Sequence, residues 1–304
     1  MIRFRLFVLI ALCVNGVALA QQAAIERARV GAPAVAVSEA SAALKMIAEE
    51  RGEVVEIQTQ AIQAPLAAPT KFRATLQSNL EYQTNAALNP DHNVGDWLWT
   101  PSFELGCRQP LPAGLALDVA ARVDLAQYFE LDDSSYWGPS ATGILEWRGR
   151  QAWPRFYAGS QVYRYDLIDP SREITRAVAL VAGTDHSWQF HEGRTVVSAG
   201  YQFAKYWASP ESEERSSHAM FAGVTRQLRG PWFVHASYAW QFSHFEQRGR
   251  EDSRHVASAG LIYVFNPNTL LRLTASYVRN ESTFPLADYE NFSTGLGAAL
   301  TLRF

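Results

Sequence analysis

From Lys71 onward the chain alternates apolar and polar side chains in runs separated by turn residues. In Lys71–Asn85, Phe72, Ala74, Leu76, Ser78, Leu80 and Tyr82 share one parity, and Lys71, Arg73, Thr75, Gln77, Asn79, Glu81 and Gln83 the other. Period two marks an extended strand with one apolar face. Eleven further runs are expected near 97–107, 115–128, 136–148, 155–166, 174–188, 195–207, 217–228, 232–244, 254–265, 269–280 and 291–304, about twelve in all. Each is long enough to cross a bilayer, which takes about 9–11 tilted residues. The connections alternate between short turns, such as Arg229–Pro231, and longer loops, such as Phe245–Ser253. That asymmetry, with an even strand count, describes an antiparallel barrel whose two termini share the short-turn end.

The last run, Asn291–Phe304, sets Phe292, Thr294, Leu296, Ala298, Leu300, Leu302 and Phe304 on one face and small or polar residues on the other. With Leu300, Leu302 and the terminal Phe304 it resembles the closing strand of Gram-negative outer-membrane β-barrel proteins. The resemblance implies an all-β, closed antiparallel transmembrane β-barrel in the bacterial outer membrane. It also implies outer-membrane lipid and lipopolysaccharide as surroundings, the barrel-assembly machinery as partner during insertion, and termini in the periplasm. Aromatics at the strand ends (Tyr82, Trp97, Trp99, Trp137, Trp147, Trp207, Trp232, Tyr277) are what two membrane interfaces call for.

The start of the chain reads differently. Met1–Ala20 has Arg3 and Arg5, a short apolar core and an Ala18-Leu19-Ala20 cleavage site, the pattern of a secretory signal peptide. Residues 21–70 are Ala-rich and punctuated by Pro33, Pro65 and Pro69, with a possible short helix after Ser38. This periplasmic segment is expected to be a linker, a plug, or a handle for a periplasmic or envelope partner. The barrel proper is expected to span 71–304.

Composition adds little and excludes some classes. A mean hydropathy of −0.14 conceals a membrane barrel, because inward polar residues cancel outward apolar ones. A net charge of −3 gives no reason to expect nucleic acid. Once the leader is removed Cys107 is the only cysteine, so no internal disulfide or thiolate metal site is expected. No cofactor is expected either, since the His residues lack ligand spacing and no Gly loop cradles phosphate.

The long loops are acidic, with Asp96, Asp132, Asp133, Asp166, Glu211, Glu213, Glu251, Asp252, Glu281 and Glu290 among their residues, whereas the short turns carry Arg108, Arg150, Arg194 and Arg229. An acidic external mouth is therefore expected. Inward parity on the strands selects Glu104, Asp118, Arg122, Asp124 and Arg272 as lumen-lining residues, with Arg73 and Glu146 beside them. Charges of both signs fit a polar pore or a structural network across a narrow lumen.

The Ser and His residues offer four candidate catalytic pairs. His186-Ser187, Ser217-His218 and Ser243-His244 are adjacent on strands and point to opposite faces. His235 and Ser237 share a face, which the apolar Val234, Ala236 and Tyr238 mark as inward. The chain resembles outer-membrane phospholipases and lipid A deacylases in scale and location, which leaves a lipid hydrolase as an alternative, but no catalytic site is expected from these pairs. The sequence thus favours a porin-like channel for small polar solutes; the alternative is a non-conducting barrel serving an envelope assembly or export complex.

Overall fold

The computed structural model describes residues 71–304 apart from 87–93, 132–133, 150–152, 169–171, 192–193, 248 and 267. The signal peptide and the 21–70 segment expected from sequence lie outside the described residues, as do the loop acids Asp91, Asp132, Asp133 and Asp169. Twelve strands form one closed antiparallel barrel in which every strand pairs with its chain neighbours and β1 pairs with β12. In chain order they are β1 (Lys71–Gln83), β2 (Asp96–Pro110), β3 (Leu115–Tyr128), β4 (Tyr136–Arg148), β5 (Arg155–Leu167) and β6 (Arg172–Phe190). The circuit continues through β7 (Thr195–Ser209), β8 (Arg215–Gln227), β9 (Trp232–Phe245), β10 (Arg250–Asn266), β11 (Thr269–Ser282) and β12 (Tyr289–Arg303). Single 3-10 turns occur at 112–114, 211–213 and 285–287.

The strands run beyond their expected bounds. β2 reaches Pro110 rather than 107, β6 starts at Arg172 rather than 174, and β10 starts at Arg250 rather than 254. Polar ends that project past an apolar belt lose alternation but keep their ladder bonds, so pairing outlasts the hydrophobic pattern. The pairing lapses at Pro101 between β2 and β3 and at Pro139 between β4 and β5, each residue lacking an N–H to donate.

The apolar belt faces outward. Leu76, Phe103, Val123, Leu145, Leu180, Met220, Leu273 and Leu296 are all exposed, Leu296 to 65%. In water such a belt is a large uncompensated cost, at about 25 cal/mol per Å². In lipid it is the solvated surface, and closure leaves no unpaired strand edge within it.

Candidate functional site: the polar lumen

Residues of opposite parity to this belt face the barrel interior. Near the end that carries the termini they form a continuous chain of ion pairs across β1 to β6. Arg73 Nε donates to Glu104 Oε1 at 2.9 Å, and its two terminal nitrogens donate to the Asp118 carboxylate at 3.0 and 3.1 Å. Arg108 lies 3.8 Å from Asp118 and 2.6 Å from Glu146. Arg155 Nη1 donates to Glu146 at 2.8 Å, while its Nε reaches both oxygens of Asp185 at 3.0 and 3.1 Å. The order Glu104–Arg73–Asp118–Arg108–Glu146–Arg155–Asp185 therefore alternates in sign throughout.

Register produces this chain. Arg73 is level with Gly106, so its side chain can lie over a position without a Cβ, and a Cβ built on Gly106 would meet Arg73 Cζ at 2.4 Å. Arg155 sits directly opposite Asp185 across β5 and β6. Arg108 is opposite Asp118 on β3; sequence alone assigned it to a turn. It belongs to a strand because β2 continues to Pro110.

The remaining lumen residues expected from sequence stand apart from the chain of charges. Arg122 pairs with Asp124 on its own strand at 2.6 Å. Arg272 donates to Asn79 Oδ1 at 2.7 Å across β12. The wall of β7 to β12 is built largely of hydroxyls that bond across strands: Ser217 with Ser243 (3.0 Å), Ser237 with Ser258 (2.7 Å) and Ser276 with Ser293 (2.8 Å). Arg254 also lies on this wall, and its Nε and Nη2 are buried without a hydrogen-bond partner among the described residues.

At the far end of the barrel, aromatic and basic side chains pack against one another. Tyr128, Tyr136 and Tyr165 pack with Leu98, Ala126, Leu167 and Ile174, and Tyr136 is only 3% exposed. The Arg215 guanidinium lies 4.1 Å from the Tyr206 ring centre and that of Arg250 4.7 Å from Phe245. Arg250 Nε donates to Asp252, which also accepts from the Ser282 hydroxyl at 2.7 Å. Several acids counted at the mouth are buried: Asp96, Asp166, Glu213 and Asp252. Asp96 accepts the backbone N–H groups of Trp97, Glu130 and Leu131 and so clamps the loop after β3. Glu130, Glu211, Glu246, Glu251, Glu281 and Glu290 remain exposed.

Residues 169–302, from the end of β5 through β12, match the family model described as "Putative beta-barrel porin 2". With the closed barrel and its apolar belt, that decides the class. The chain is a bacterial outer-membrane β-barrel protein. No curated protein matches its sequence. Among solved structures this outer-membrane barrel is similar to the β domain of the Bordetella autotransporter Brka, at 11% identity over 77% of this chain and 100% of that one, with a TM-score of 0.49. It is also similar to an outer membrane channel from Pseudomonas putida F1, at 14% identity over 79% of this chain and 97% of that one, with a TM-score of 0.46. An anion-selective porin from Comamonas acidovorans shares 9% identity over 77% of this chain and 99% of that one, with a TM-score of 0.42.

Proposed function

We propose that this outer-membrane barrel is a narrow channel for small polar solutes, with its constriction at the far end. One observation carries the reading. The seven-residue chain of charges is not sealed in a dry core, since Arg73, Glu104, Arg108 and Arg155 keep 18, 26, 36 and 29% of their side-chain surface accessible. Ion pairs in contact with water hold a hydrated wall, and a hydrated wall of both signs suits neutral or zwitterionic polar solutes. The exposed acids around the far loops make a negative entrance that draws cations toward it and repels anions. Nothing in this reading gives His235 or Ser237 a catalytic part. Residues 21–70 then serve as a periplasmic segment that regulates entry or holds a partner.

The tyrosine packing at the far end favours a second reading, a barrel that does not conduct at rest and serves as a scaffold. Single-channel recording in planar bilayers separates the two. The full chain is expected to give small, stepwise, cation-preferring conductance, and Asp118→Lys is expected to shift the ion preference toward anions. A correctly folded protein that stays silent, with Tyr136→Ala silent as well, assigns the barrel to the scaffold role.

A further inference from the structure

The outward face of β9 and β10 carries a hydrogen-bonded chain of four polar side chains at the edge of the apolar belt. Trp240 Nε1 donates to Ser253 Oγ at 2.9 Å. Ser253 Oγ lies 3.3 Å from His255 Nε2, and His255 Nδ1 lies 2.7 Å from the Tyr238 hydroxyl. Ser253 and His255 are two apart on one strand and therefore share a face. That face is the lipid-exposed one, to which the exposed Tyr238 and Phe265 belong. Ser253 is three residues inside the start of β10 at Arg250, and across the hairpin Tyr238 and Trp240 are the amphipathic ring types that membrane interfaces gather. On the neighbouring strand Arg279 is opposite His255 and Glu281 opposite Ser253. Arg279 is half-exposed and is held between Glu281 at 2.9 Å and Glu290 at 3.6 Å.

A second copy of the pattern lies 37 residues earlier, with His218 in the place of His255. Tyr201, Ser216 and His218 are followed by Ala222-Gly223, as Tyr238, Ser253 and His255 are followed by Ala259-Gly260. Its Tyr201 hydroxyl is 2.6 Å from His218 Nδ1. There Phe203 stands where the later copy has Trp240, so no indole N–H is available to hold the serine. The two hairpins share a frame; the later one carries the complete set.

We propose that Ser253, His255 and Tyr238 form an esterase site on the membrane-facing wall, acting on a fatty-acyl ester of an amphiphilic lipid. With the ring proton on Nδ1, donated to Tyr238, Nε2 of His255 is free to accept the Ser253 proton. Ser253 Oγ attacks the ester carbonyl carbon while its proton passes to Nε2. The ester C–O bond breaks, and the departing alcohol oxygen takes that proton back, leaving an acyl-serine. Water then attacks the acyl carbon and gives its proton to Nε2. The acyl–serine bond breaks, the serine oxygen is reprotonated, and a fatty acid leaves. The Trp240 N–H, already beside Oγ, is the donor positioned for the negative carbonyl oxygen, since the backbone N–H groups of this wall are spent on the ladder.

The site does not depend on the channel reading, because it lies on the opposite face of the wall from the charged chain. Its test uses the full chain in vesicles of phosphatidylethanolamine and phosphatidylglycerol, and separately in vesicles containing lipopolysaccharide, with free fatty acid measured by mass spectrometry. A long-chain alkyl fluorophosphonate is applied in parallel and the labelled peptide mapped. Fatty acid release with labelling at Ser253 and not at Ser216 is expected. Ser253→Ala should abolish both, and His255→Gln should slow release by about 10²–10⁴-fold. The vesicle type that yields fatty acid identifies the lipid source. A heat-modifiable, folded wild type that neither labels nor releases fatty acid from either membrane overturns the proposal, as does release that survives Ser253→Ala. Should the alanine variant fail to insert, the labelling of wild type and the His255→Gln rate still decide the matter.

Discussion

Phe72 and Phe304 close the barrel by a reciprocal backbone pair: the N–H of Phe72 donates to the carbonyl of Phe304 at 2.9 Å, and the N–H of Phe304 returns a bond at 3.1 Å. Their rings stack on the outer surface with centroids 6.0 Å apart. The last residue of the chain is thus part of the seam between β12 and β1. Deleting Phe304 removes two backbone hydrogen bonds, worth about 0.5–1.5 kcal/mol each, and one ring contact of about 0.5–1.5 kcal/mol. Urea unfolding in detergent micelles should show a loss of about 2–4 kcal/mol, whereas Phe304→Tyr should change stability little.

Two glycines on facing strands predict opposite outcomes. A Cβ at Gly159 would lie 2.1 Å from the Gly143 carbonyl oxygen and 2.8 Å from Ile144 Cα, both backbone atoms that cannot rotate away. A Cβ at Gly143 would meet nothing within 4 Å. Gly159→Ala should lower the unfolding free energy by about 1–3 kcal/mol through forced overpacking. Gly143→Ala should be neutral or slightly stabilising, because alanine restricts the unfolded chain.

The ion-pair chain should respond to single cuts more than to its length. Arg155→Met removes the partner of Asp185 and one of the two partners of Glu146, leaving a part-buried carboxylate uncompensated. A destabilisation of about 1–3 kcal/mol is expected. The double change Arg155→Met with Asp185→Leu should recover at least half of that loss, read as a coupling in a double-mutant cycle.

Arg254 runs the other way. Its Nε and Nη2 are buried and find no hydrogen-bond partner among the described residues, so desolvation of these two N–H groups is not offset by a protein acceptor. Arg254→Met keeps the stem and removes the guanidinium. Unfolding in micelles should show no loss of stability and a gain of up to about 1–3 kcal/mol. A loss above 1 kcal/mol would falsify the view that this guanidinium is unsatisfied.

Most of the barrel was legible because alternation and membrane closure obey the same period. The run 115–128 is the strand Leu115–Tyr128 to the residue, and 136–148 is Tyr136–Arg148. Which residues share a face could likewise be read along each strand. What could not be read is the stagger between strands, and the ion-pair chain depends on it: Arg155 and Asp185 are thirty residues apart and meet only through register. Burial at the rim was equally hidden. Asp96 and Asp252 look like loop acids in sequence, yet one caps three backbone N–H groups and the other neutralises Arg250. The Ser253–His255 pair escaped for a plainer reason. Apolar alternation fades before residue 254, so Ser253 reads as part of a loop, and a strand-borne pair is split between two elements.

The alternating charges of the lumen wall have an effect on range. Neighbouring charges of opposite sign cancel within a few ångströms, so the field of the Glu104-to-Asp185 chain dies away over about the spacing of its members. A molecule in mid-lumen feels little of it; a molecule that touches the wall meets strong donors and acceptors side by side. Such a surface ranks visitors by how well their own dipoles match its spacing, and bulk salt, which acts at long range, should barely disturb that ranking.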